Sequence, residues 1–320
     1  MRGNLTQAEL RDFFVALHGL AWEAEKTTQS HYEKYFTIEK STGPLEIYPD
    51  FDATGSARIW ETGTGRVFNS YTERGMKVGN NRVEFSVKVD RDSLNDGRFG
   101  AVNNLAIKMG EGMKVFKNWA CFDTFNRGHL PVEALYLPDG KPLFSEQHDV
   151  LGTVKTGSAA YQPNYIPGTK TPWYLVVTKQ LGMKPGILQQ RDPLEYVGFT
   201  NPADPSVFND NAYVLGMTER YGVHGMSWQC IGRSEQDLTP QNVEILYNLM
   251  TGTENRFGVA MMREPDVLLV PRVLATTARH VLEDEYVFSG GVITAENPKW
   301  LKSLLTLDVV PYLSNTKLTA

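Results

Sequence analysis

The 320-residue chain has few cysteines, no long apolar run and no excess of positive charge, and each shortage excludes a class of protein. Its two cysteines, Cys121 and Cys230, are too few for a disulfide framework and fit a reducing compartment. No segment approaches the roughly 20 consecutive apolar residues of a membrane span, and the first residues lack the basic-then-apolar pattern of a signal peptide. We therefore expect synthesis inside a cell and no membrane partner.

The charge balance argues against a dedicated nucleic-acid-binding protein. The sequence holds 32 Lys and Arg against 37 Asp and Glu, a formal net charge of −5. A protein that grips nucleic acid normally has a basic excess or a basic stripe, and this sequence has neither. With 41% hydrophobic and 22% charged residues the composition is globular. At about 150 residues per domain, the length suggests two domains or one core with large excursions.

Motifs for common ligand sites are missing from the sequence. Residues 62–65 contain two glycines but not the third glycine of a dinucleotide-binding loop. Asp90, Asp92 and Asp96 superficially resemble a calcium loop, but Leu94 occupies a ligand position, so helix caps are the favoured interpretation. We predict no catalytic, cofactor-binding or metal-binding residue and no cofactor.

The two cysteines are the residues from which an unrecognised catalytic site could still be built. Their apolar neighbours, such as Phe122 and Ile231, favour a role as small buried hydrophobic residues. A Cys–His pair that uses His129 or His148 stays open. The alternative that the chain is a soluble enzyme with a Cys–His or acid/base site therefore also stays open.

Two helices are predicted in the first 130 residues. Thr6 and Glu9 form a capping box, and apolar residues at helical spacing continue that helix to about Lys26. A long spine helix is predicted over about 96–125, with Asp96 as its cap. The spacing of its apolar residues, in steps of three and four, predicts one buried face. The residues of this face are Phe99, Val102, Ala106, Met109, Met113 and Phe116.

Alternation of apolar and polar residues predicts a strand over residues 82–90, with Val83 and Val89 among its apolar positions. Residues 66–74 are a weaker strand candidate, and residues 79–81 form a turn sequence between the two. We expect a long β-hairpin that cannot bury enough surface alone and must lie on something else.

The second half of the chain divides into a mainly β region and a β/α region. Strands are predicted at residues 173–177 and within 212–231. Thr239 and Pro240 mark a helix start, because threonine is a favoured N-cap and proline is favoured at the first helical position. Further strands are predicted at 266–270 and 304–310, separated by a helix that includes Val273.

A series of short segments, in order along nearly the whole chain, resembles the major head subunits of Mu-like tailed phages. The segments are residues 58–61, 90–97, 139–148, 173–177, 184–191, 207–210, 220–228, 238–242, 268–271 and 309–313. That family is similar to the Hong Kong 97-type capsid proteins. The resemblance implies an α+β fold with an N-terminal arm (1–45), an extended β-hairpin loop region (46–92), a peripheral domain built on the spine helix (93–236) and an axial β/α domain (237–320).

The resemblance also implies a function, which is assembly into hexamers and pentamers that form the icosahedral head of a tailed phage around double-stranded DNA. The implied partners are further copies of the chain, portal, scaffolding and decoration proteins, and DNA held weakly on the inner face. The implied location is the virion shell, assembled in the bacterial cytoplasm. An encapsulin-like compartment shell is the alternative of the same fold. Candidate inter-subunit contacts are Arg58, Trp60, Arg66, Glu73, Arg74 and Lys77.

Overall fold

The computed structural model describes residues 6–49, 59–63, 65–66, 75–149, 161–179, 184–201, 203–254, 261, 263–284, 286–289, 292–296 and 299–313. Its helices are α1 (Gln7–Thr27), α2 (Arg91–Asn95), α3 (Phe99–Arg127), α4 (Pro205–Asp210), α5 (Pro240–Thr251), α6 (Ala275–Glu283) and α7 (Lys299–Leu304). Its strands are β1 (Phe36–Lys40), β2 (Leu45–Pro49), β3 (Gly75–Gly79), β4 (Asn81–Asp90), β5 (His148–Asp149), β6 (Tyr161–Gln162), β7 (Tyr165–Ile166), β8 (Trp173–Val176), β9 (Gly186–Phe199), β10 (Ala212–Gly225), β11 (Ile231–Ser234), β12 (Val267–Val270), β13 (Tyr286–Ser289), β14 (Val292–Glu296) and β15 (Thr306–Val309). The α+β class is confirmed.

Helix α1 confirms the predicted capping box and lies on the body of its own chain. The Glu9 carboxylate accepts a hydrogen bond from the Thr6 N–H at 2.9 Å, and the Glu9 N–H donates to the Thr6 hydroxyl at 3.3 Å. One face of α1, with Leu10, Phe14 and Leu17, is buried in a cluster shared with α3, β4 and β10. The N-terminal region, expected to reach out as an arm, therefore packs along the spine helix of the same chain in this part of its length.

The predicted cap of the spine helix is wrong, because the sequence signal marks a separate short helix. The Asp90 carboxylate accepts a hydrogen bond from the Ser93 N–H at 2.9 Å and caps α2. Asp96 directly follows that short helix as its C-cap residue. Helix α3 begins at Phe99, and Arg98 holds its N-cap position without a side-chain hydrogen bond.

The predicted buried face of the spine helix is correct over its first half. Val102, Ala106, Met109 and Met113 are buried, and Phe99 is half-buried against the same cluster. Phe116 is 37% exposed, so its assignment to the core is wrong. The predicted apolar positions repeat every seven residues, or 3.5 per turn, whereas the helix has about 3.6 residues per turn. The line of these positions therefore rotates slowly around the helix, and by Phe116 it has left the buried face. Further along the helix the buried residues include Lys117, Asn118, Cys121, Phe122 and Phe125.

A four-stranded sheet in the order β1-β9-β10-β4 packs against α1 and α3. The predicted strand at 82–90 is present as β4, which pairs antiparallel with β10 from Ala212 opposite Asp90 to Tyr221 opposite Asn81. The predicted hairpin is wrong at its turn, since β3 pairs with β2 and only Asn80 separates β3 from β4. Alternation along a strand shows which face is buried but does not identify its partner. Residues 67–74, the predicted partner, lie outside the described residues.

Strand β9 was not predicted from the sequence. Pro193 and the charged residues around it interrupt the alternation that marks a strand. The pairing of β9 with β10 shifts register at this point, where Asp192 lies opposite Arg220 and Glu195 lies opposite Thr218. The irregularity accommodates the proline, because a β-bulge leaves local backbone groups outside the hydrogen-bonded ladder.

A second sheet, in the order β15-β12-β8-β11-β7, crosses the domain boundary predicted at residues 236 and 237. Strand β12 pairs antiparallel with β8 and parallel with β15, so strands from both sides of that boundary share one sheet. Strands β7, β8 and β11 thus share a sheet with C-terminal strands, and the division into domains at residues 236 and 237 stays a prediction. Pairing between distant segments is not visible in local periodicity.

Helices α5, α6 and α7 pack against the second sheet. Helices α5 and α6 largely follow the prediction, whereas α7 was not predicted. The Thr239 hydroxyl accepts a hydrogen bond from the Asn242 N–H at 3.3 Å, with Pro240 at the first helical position of α5. The predicted strands at 266–270 and 304–310 are present as β12 and β15. Val273 is exposed and precedes α6, so its placement within that helix is wrong.

A buried arginine joins the C-terminal end of α3 to the second sheet. The Arg233 guanidinium, on β11, donates to the backbone oxygens of Phe125 at 3.0 Å and Asn126 at 2.9 Å. Its other terminal nitrogen lies 2.6 Å from the Glu235 carboxylate. The guanidinium also lies within 6 Å of the ring centroids of Phe144, Tyr165 and Tyr174. The last carbonyls of the spine helix are thereby satisfied by a cation, which the helix dipole favours at this end.

Candidate inter-subunit interface

Strands β2 and β3 form a two-stranded ribbon, called the β2–β3 ribbon, with one buried and one exposed face. Met76 and Val78 are buried on the inner face. Ile47 lies opposite Lys77 on the outer face, where Ile47 is 61% exposed and Lys77 is exposed. An apolar side chain beside a cation on an uncovered surface is suited to a protein contact. Lys77, a predicted contact residue, is therefore accessible.

The β2–β3 ribbon is attached to the four-stranded sheet through one buried amide. The Gln189 carboxamide donates to the Val78 backbone oxygen at 2.8 Å and to the Asn80 side-chain oxygen at 2.9 Å. Its oxygen accepts a hydrogen bond from the Tyr48 hydroxyl at 3.1 Å. Beside it, a Cβ on Gly222 would lie 2.3 Å from the Gly79 backbone oxygen. The backbone of the ribbon thus lies directly against the backbone of β10, and the hydrogen bonds of Gln189 hold the ribbon in this position.

Replacing Gln189 by leucine is expected to loosen the β2–β3 ribbon without unfolding the rest of the chain. The variant loses the three hydrogen bonds of the Gln189 carboxamide, each with a net value of about 1 kcal/mol. Hydrogen exchange of the amides in β2 and β3 should accelerate about tenfold or more, while exchange in α5 stays unchanged. Gln190→Leu, at the adjacent half-buried position, is the matched control. Equal hydrogen-exchange protection of β2 and β3 in Gln189→Leu and in the wild type would show that Gln189 does not hold the ribbon in place.

The described part of the extended loop exposes an apolar pair, Ile59 and Trp60, called the loop pair. Ile59 is 92% exposed and Trp60 is 58% exposed. The Arg66 guanidinium lies 5.1 Å from the centroid of the Trp60 ring, a cation–π arrangement. Two predicted contact residues, Trp60 and Arg66, are therefore brought together. The other predicted contacts, Arg58, Glu73 and Arg74, lie outside the described residues.

The outer face of the four-stranded sheet is a further exposed surface, which sequence reasoning did not single out. Glu84 and Lys88 on β4 point away from the cluster beneath α1 and α3, as do the exposed Val197 and Phe199 on β9. The Lys88 ammonium pairs with Asp210 of α4 at 2.5 Å. This surface could be recognised in the sequence only if β9 were predicted as a strand, and Pro193 interrupts the alternation that would predict it.

The cysteines lie in the core and have the properties of structural residues. Burial raises the pKa of the Cys121 thiol, which disfavours the thiolate that a nucleophile needs. The Cys230 sulfur is also buried and lies 3.6 Å from the Arg263 guanidinium. His148 stacks on Trp228 with ring centroids 4.3 Å apart, and its Nδ1 lies 2.6 Å from the Asp139 carboxylate. These contacts fix the imidazole within the fold.

Two classes of site receive no support from the described residues. They contain no group of three or more His, Cys, Asp and Glu side chains that could hold a metal ion. Within the same ranges, no helix has the length and the apolar character needed to cross a lipid bilayer.

Comparison with known proteins places the chain among phage head subunits. The family described as Mu-like prophage major head subunit gpT matches residues 10–313. The major capsid protein of Escherichia phage Mu is 28% identical over 288 residues, which cover 89% of this chain and 91% of that protein.

Solved capsid structures share the fold. A chain from the procapsid of bacteriophage JBD30 has a TM-score of 0.76 and 23% identity, covering 96% of this chain and 100% of that chain. A chain from the JBD30 capsid decorated with minor capsid protein trimers has a TM-score of 0.69 and 21% identity, covering 90% and 92%. The predicted Hong Kong 97-type fold is confirmed. Because the family match extends from within α1 to beyond β15, the chain belongs to the Mu-like prophage major head subunit gpT family.

Proposed function

We propose that the chain is a major capsid subunit that assembles into hexamers and pentamers and forms the icosahedral head of a tailed phage around double-stranded DNA. The observation that carries the proposal is the exposure of the loop pair in a chain of this family. An isolated globular protein gains stability by covering such side chains, and a second copy can cover them here. The protein acts by association and not by turnover, which the core position of its cysteines supports.

The two sheets correspond to the two domains that such a subunit uses. The four-stranded sheet with α1 and α3 forms the peripheral domain, and the five-stranded sheet with α5, α6 and α7 forms the axial domain at the centre of a capsomere. Trp60, Arg66 and Lys77 contact neighbouring copies, together with Arg58, Glu73 and Arg74. Their exposure supports this role for the three that are described.

Many modest contacts suffice to hold such a shell together. Permanent assemblies bury about 2,000–5,000 Å² at an interface. A subunit that touches several neighbours buries a total area in this range as the sum of several small interfaces. Multivalency makes the closed shell persistent although a single contact is weak. The lysines of the loop region, Lys77 and Lys88, lie in no recognisable cross-linking motif, so assembly is non-covalent.

Further partners follow from the same role. The subunit forms the virion shell after assembly in the bacterial cytoplasm, together with portal, scaffolding and decoration proteins. The JBD30 capsid decorated with minor capsid protein trimers supports a decoration partner. The net charge of −5 favours weak, non-specific contact with the packaged DNA on the inner face.

Changing Ile47 to aspartate is expected to reduce particle yield at least tenfold and to leave the unassembled protein folded. Ile47 is exposed on the outer face of the β2–β3 ribbon, so the carboxylate is costly only when a neighbour covers it. Particles are counted by negative-stain microscopy after co-expression with the scaffolding protein, and folding is followed by thermal melting. Ile47→Val is the control and should assemble normally. A wild-type chain that stays monomeric at high concentration, with or without scaffolding protein, would contradict the proposed function.

A further inference from the structure

A groove runs between α1 and β9 on the surface of the unit formed by the four-stranded sheet, α1 and α3. Its lining is His18, Gly19, Trp22, Leu194, Glu195 and Tyr196, and its volume is about 480 Å³. The His18 ring stacks on the Tyr196 ring with centroids 4.9 Å apart, and Trp22 meets His18 edge-on at 6.3 Å. A second depression of about 200 Å³ continues along α1 and shares His18 and Tyr196 with the first. The two depressions together are called the α1–β9 groove.

The walls of the α1–β9 groove are open to solvent although they are largely apolar. Val15 of α1 is 64% exposed and Trp22 is 37% exposed. Leu194 and Tyr196 on the β9 side are half-buried. Exposed apolar side chains that lie side by side on a folded chain are typical of a surface that contacts another molecule.

Gly19 lies in the middle of α1, at the α1–β9 groove, where the fold of its own chain gives no reason for a glycine. Glycine weakens the interior of a helix relative to alanine. A Cβ on Gly110 would be 2.0 Å from the Ala21 backbone oxygen, so that glycine is explained by the approach of α1 to α3. A Cβ on Gly19 meets no atom within 4 Å. The absence of a side chain at Gly19 is useful when a second molecule approaches the backbone of α1 at this point.

Two cations flank the α1 side of the groove. Arg11 lines the second depression, and the Lys26 ammonium lies 5.1 Å from the centroid of the Trp22 ring. Neither cation forms an ion pair within the part of the chain that the structure describes. At about 1.5 Å per residue, the two positions are about 22 Å apart along α1. The groove is thus apolar in its middle and cationic at both ends.

The β9 side of the groove does not neutralise these cations. Glu195 alternates along β9 with Leu194 and Tyr196, which both pack on the cluster beneath α1. Successive side chains of a strand point to opposite faces of the sheet, so the Glu195 carboxylate is directed away from that cluster. Among the described residues, no acidic residue of α1 lines either depression.

We propose that the α1–β9 groove binds an acidic amphipathic helix of a second protein. Apolar side chains on one face of that helix lie in the channel between Val15 and Trp22, and carboxylates near its two ends pair with Arg11 and Lys26. A helix of about 15 residues spans the distance between the two cations. Grooves that bind helices hold apolar anchors spaced by three and four residues, and charge pairs at the rim fix the register. Binding of this helix does not depend on the proposed assembly into a shell.

Two other occupants fit the groove less well. A single strand of nucleic acid stacks its bases on aromatic rings but needs cations that follow its phosphates along the whole groove. Here the cations stand at the ends, with Val15 and Gly19 between them. A second copy of α1 brings like charges together in both orientations, because Arg11 then meets either Arg11 or Lys26 of the other copy.

A synthetic peptide tests the proposal. The probe is a fluorescein-labelled helix of about 18 residues with leucines along one face and a glutamate at each end of that face. Its affinity for the unassembled chain is measured by fluorescence anisotropy. We expect Gly19→Phe, which fills the groove, to weaken binding at least tenfold at unchanged melting temperature. Gly100→Phe adds the same side chain at an exposed position of α3 with equal free space and should stay within twofold of wild type. Equal affinities of the two variants, or no binding to the wild type, would overturn the proposal.

Reversal of the charges gives a second readout that does not depend on filling the groove. The double variant Arg11→Glu with Lys26→Glu changes two exposed side chains and should leave the fold intact. It should bind the glutamate peptide at least tenfold more weakly than the wild type does. It should bind an otherwise identical peptide with lysines at the ends at least tenfold more tightly. An unchanged preference for the glutamate peptide would overturn the proposal.

The two other occupants are distinguished in the same assay. An oligothymidylate that binds more tightly than the peptide and displaces it would assign the groove to nucleic acid and overturn the proposal. Dimerisation of the wild type that Gly19→Phe abolishes would assign the groove to a second copy and overturn it as well. A wild-type chain that binds the peptide but forms no particles overturns the proposed function alone.

Discussion

Replacing Gly110 by alanine is expected to lower the free energy of unfolding of the unassembled protein by about 3 kcal/mol. Gly110 lies where α3 crosses α1, and an added Cβ would be 2.0 Å from the Ala21 backbone oxygen and 3.1 Å from the Ala24 Cβ. A backbone atom cannot rotate away as a side chain can. The methyl group must therefore push the two helices apart and open the cluster that contains Leu17 and Met109.

The same substitution elsewhere on α3 should have the opposite sign. Gly100→Ala adds a methyl group where no atom lies within 4 Å, and alanine is favoured over glycine in a helix by about 0.5–1 kcal/mol. Chemical denaturation of both variants at one pH measures the difference directly. Equal stability of Gly110→Ala and Gly100→Ala would show that α1 and α3 do not approach this closely.

The second large effect is expected from Arg233→Met, which removes the buried cation between α3 and β11. The variant leaves the Phe125 and Asn126 carbonyls without this donor and the Glu235 carboxylate without its counter-ion. Breaking a buried pair by removing one partner costs about 3–5 kcal/mol. Denaturation at pH 7 should show a loss of this size. Arg127→Ala, which removes the ion pair of an exposed arginine with the half-buried Asp123, should cost less than about 1 kcal/mol.

The pH dependence separates the charge of Arg233 from its packing. Burial alone would raise the pKa of Glu235, but the hydrogen bond and the charge of Arg233 outweigh it and hold this pKa below its usual value of 4.5. A carboxyl with a lowered folded pKa stabilises the fold above the unfolded pKa, and this contribution disappears as the pH falls through the folded pKa. The stability gap between wild type and Arg233→Met should therefore narrow in acid. A gap that stays constant from pH 7 to pH 3 would assign the whole effect to packing.

Local signals in the sequence predict single elements well and their partners poorly. The cap at Thr239 and the capping box at Thr6 predict α5 and α1 because capping depends only on neighbouring residues. The alternation around Val89 predicts β4, yet its partner β10 lies more than 100 residues further on, beyond the reach of any periodicity. Pro193 conceals β9, a central strand of the four-stranded sheet, on which the outer face of that sheet depends.

Only part of the candidate interface could be predicted, because local signals in the sequence do not show which distant segments pair. Trp60, Arg66 and Lys77 were predicted as contacts from the family resemblance, and the structure shows that all three are exposed, while their role as contacts stays a prediction. Gln189 was missed because it belongs to the concealed strand β9. Phe116 was misplaced because a steady apolar repeat continues past the point where the packing partner of α3 changes.

The β2–β3 ribbon is joined to β4 through a single residue, Asn80. The Asn80 carboxamide donates to the Ser41 hydroxyl at 2.7 Å and to the Gly43 backbone oxygen at 2.9 Å, and it accepts from Gln189. These are polar links of about 1 kcal/mol each, but the inner side chains of the ribbon, Met76 and Val78, are buried in the core cluster that also contains Leu269 of β12. The ribbon is therefore clamped at its base, and any change in its direction has to repack Met76 and Val78 as well as exchange the hydrogen bonds of Asn80.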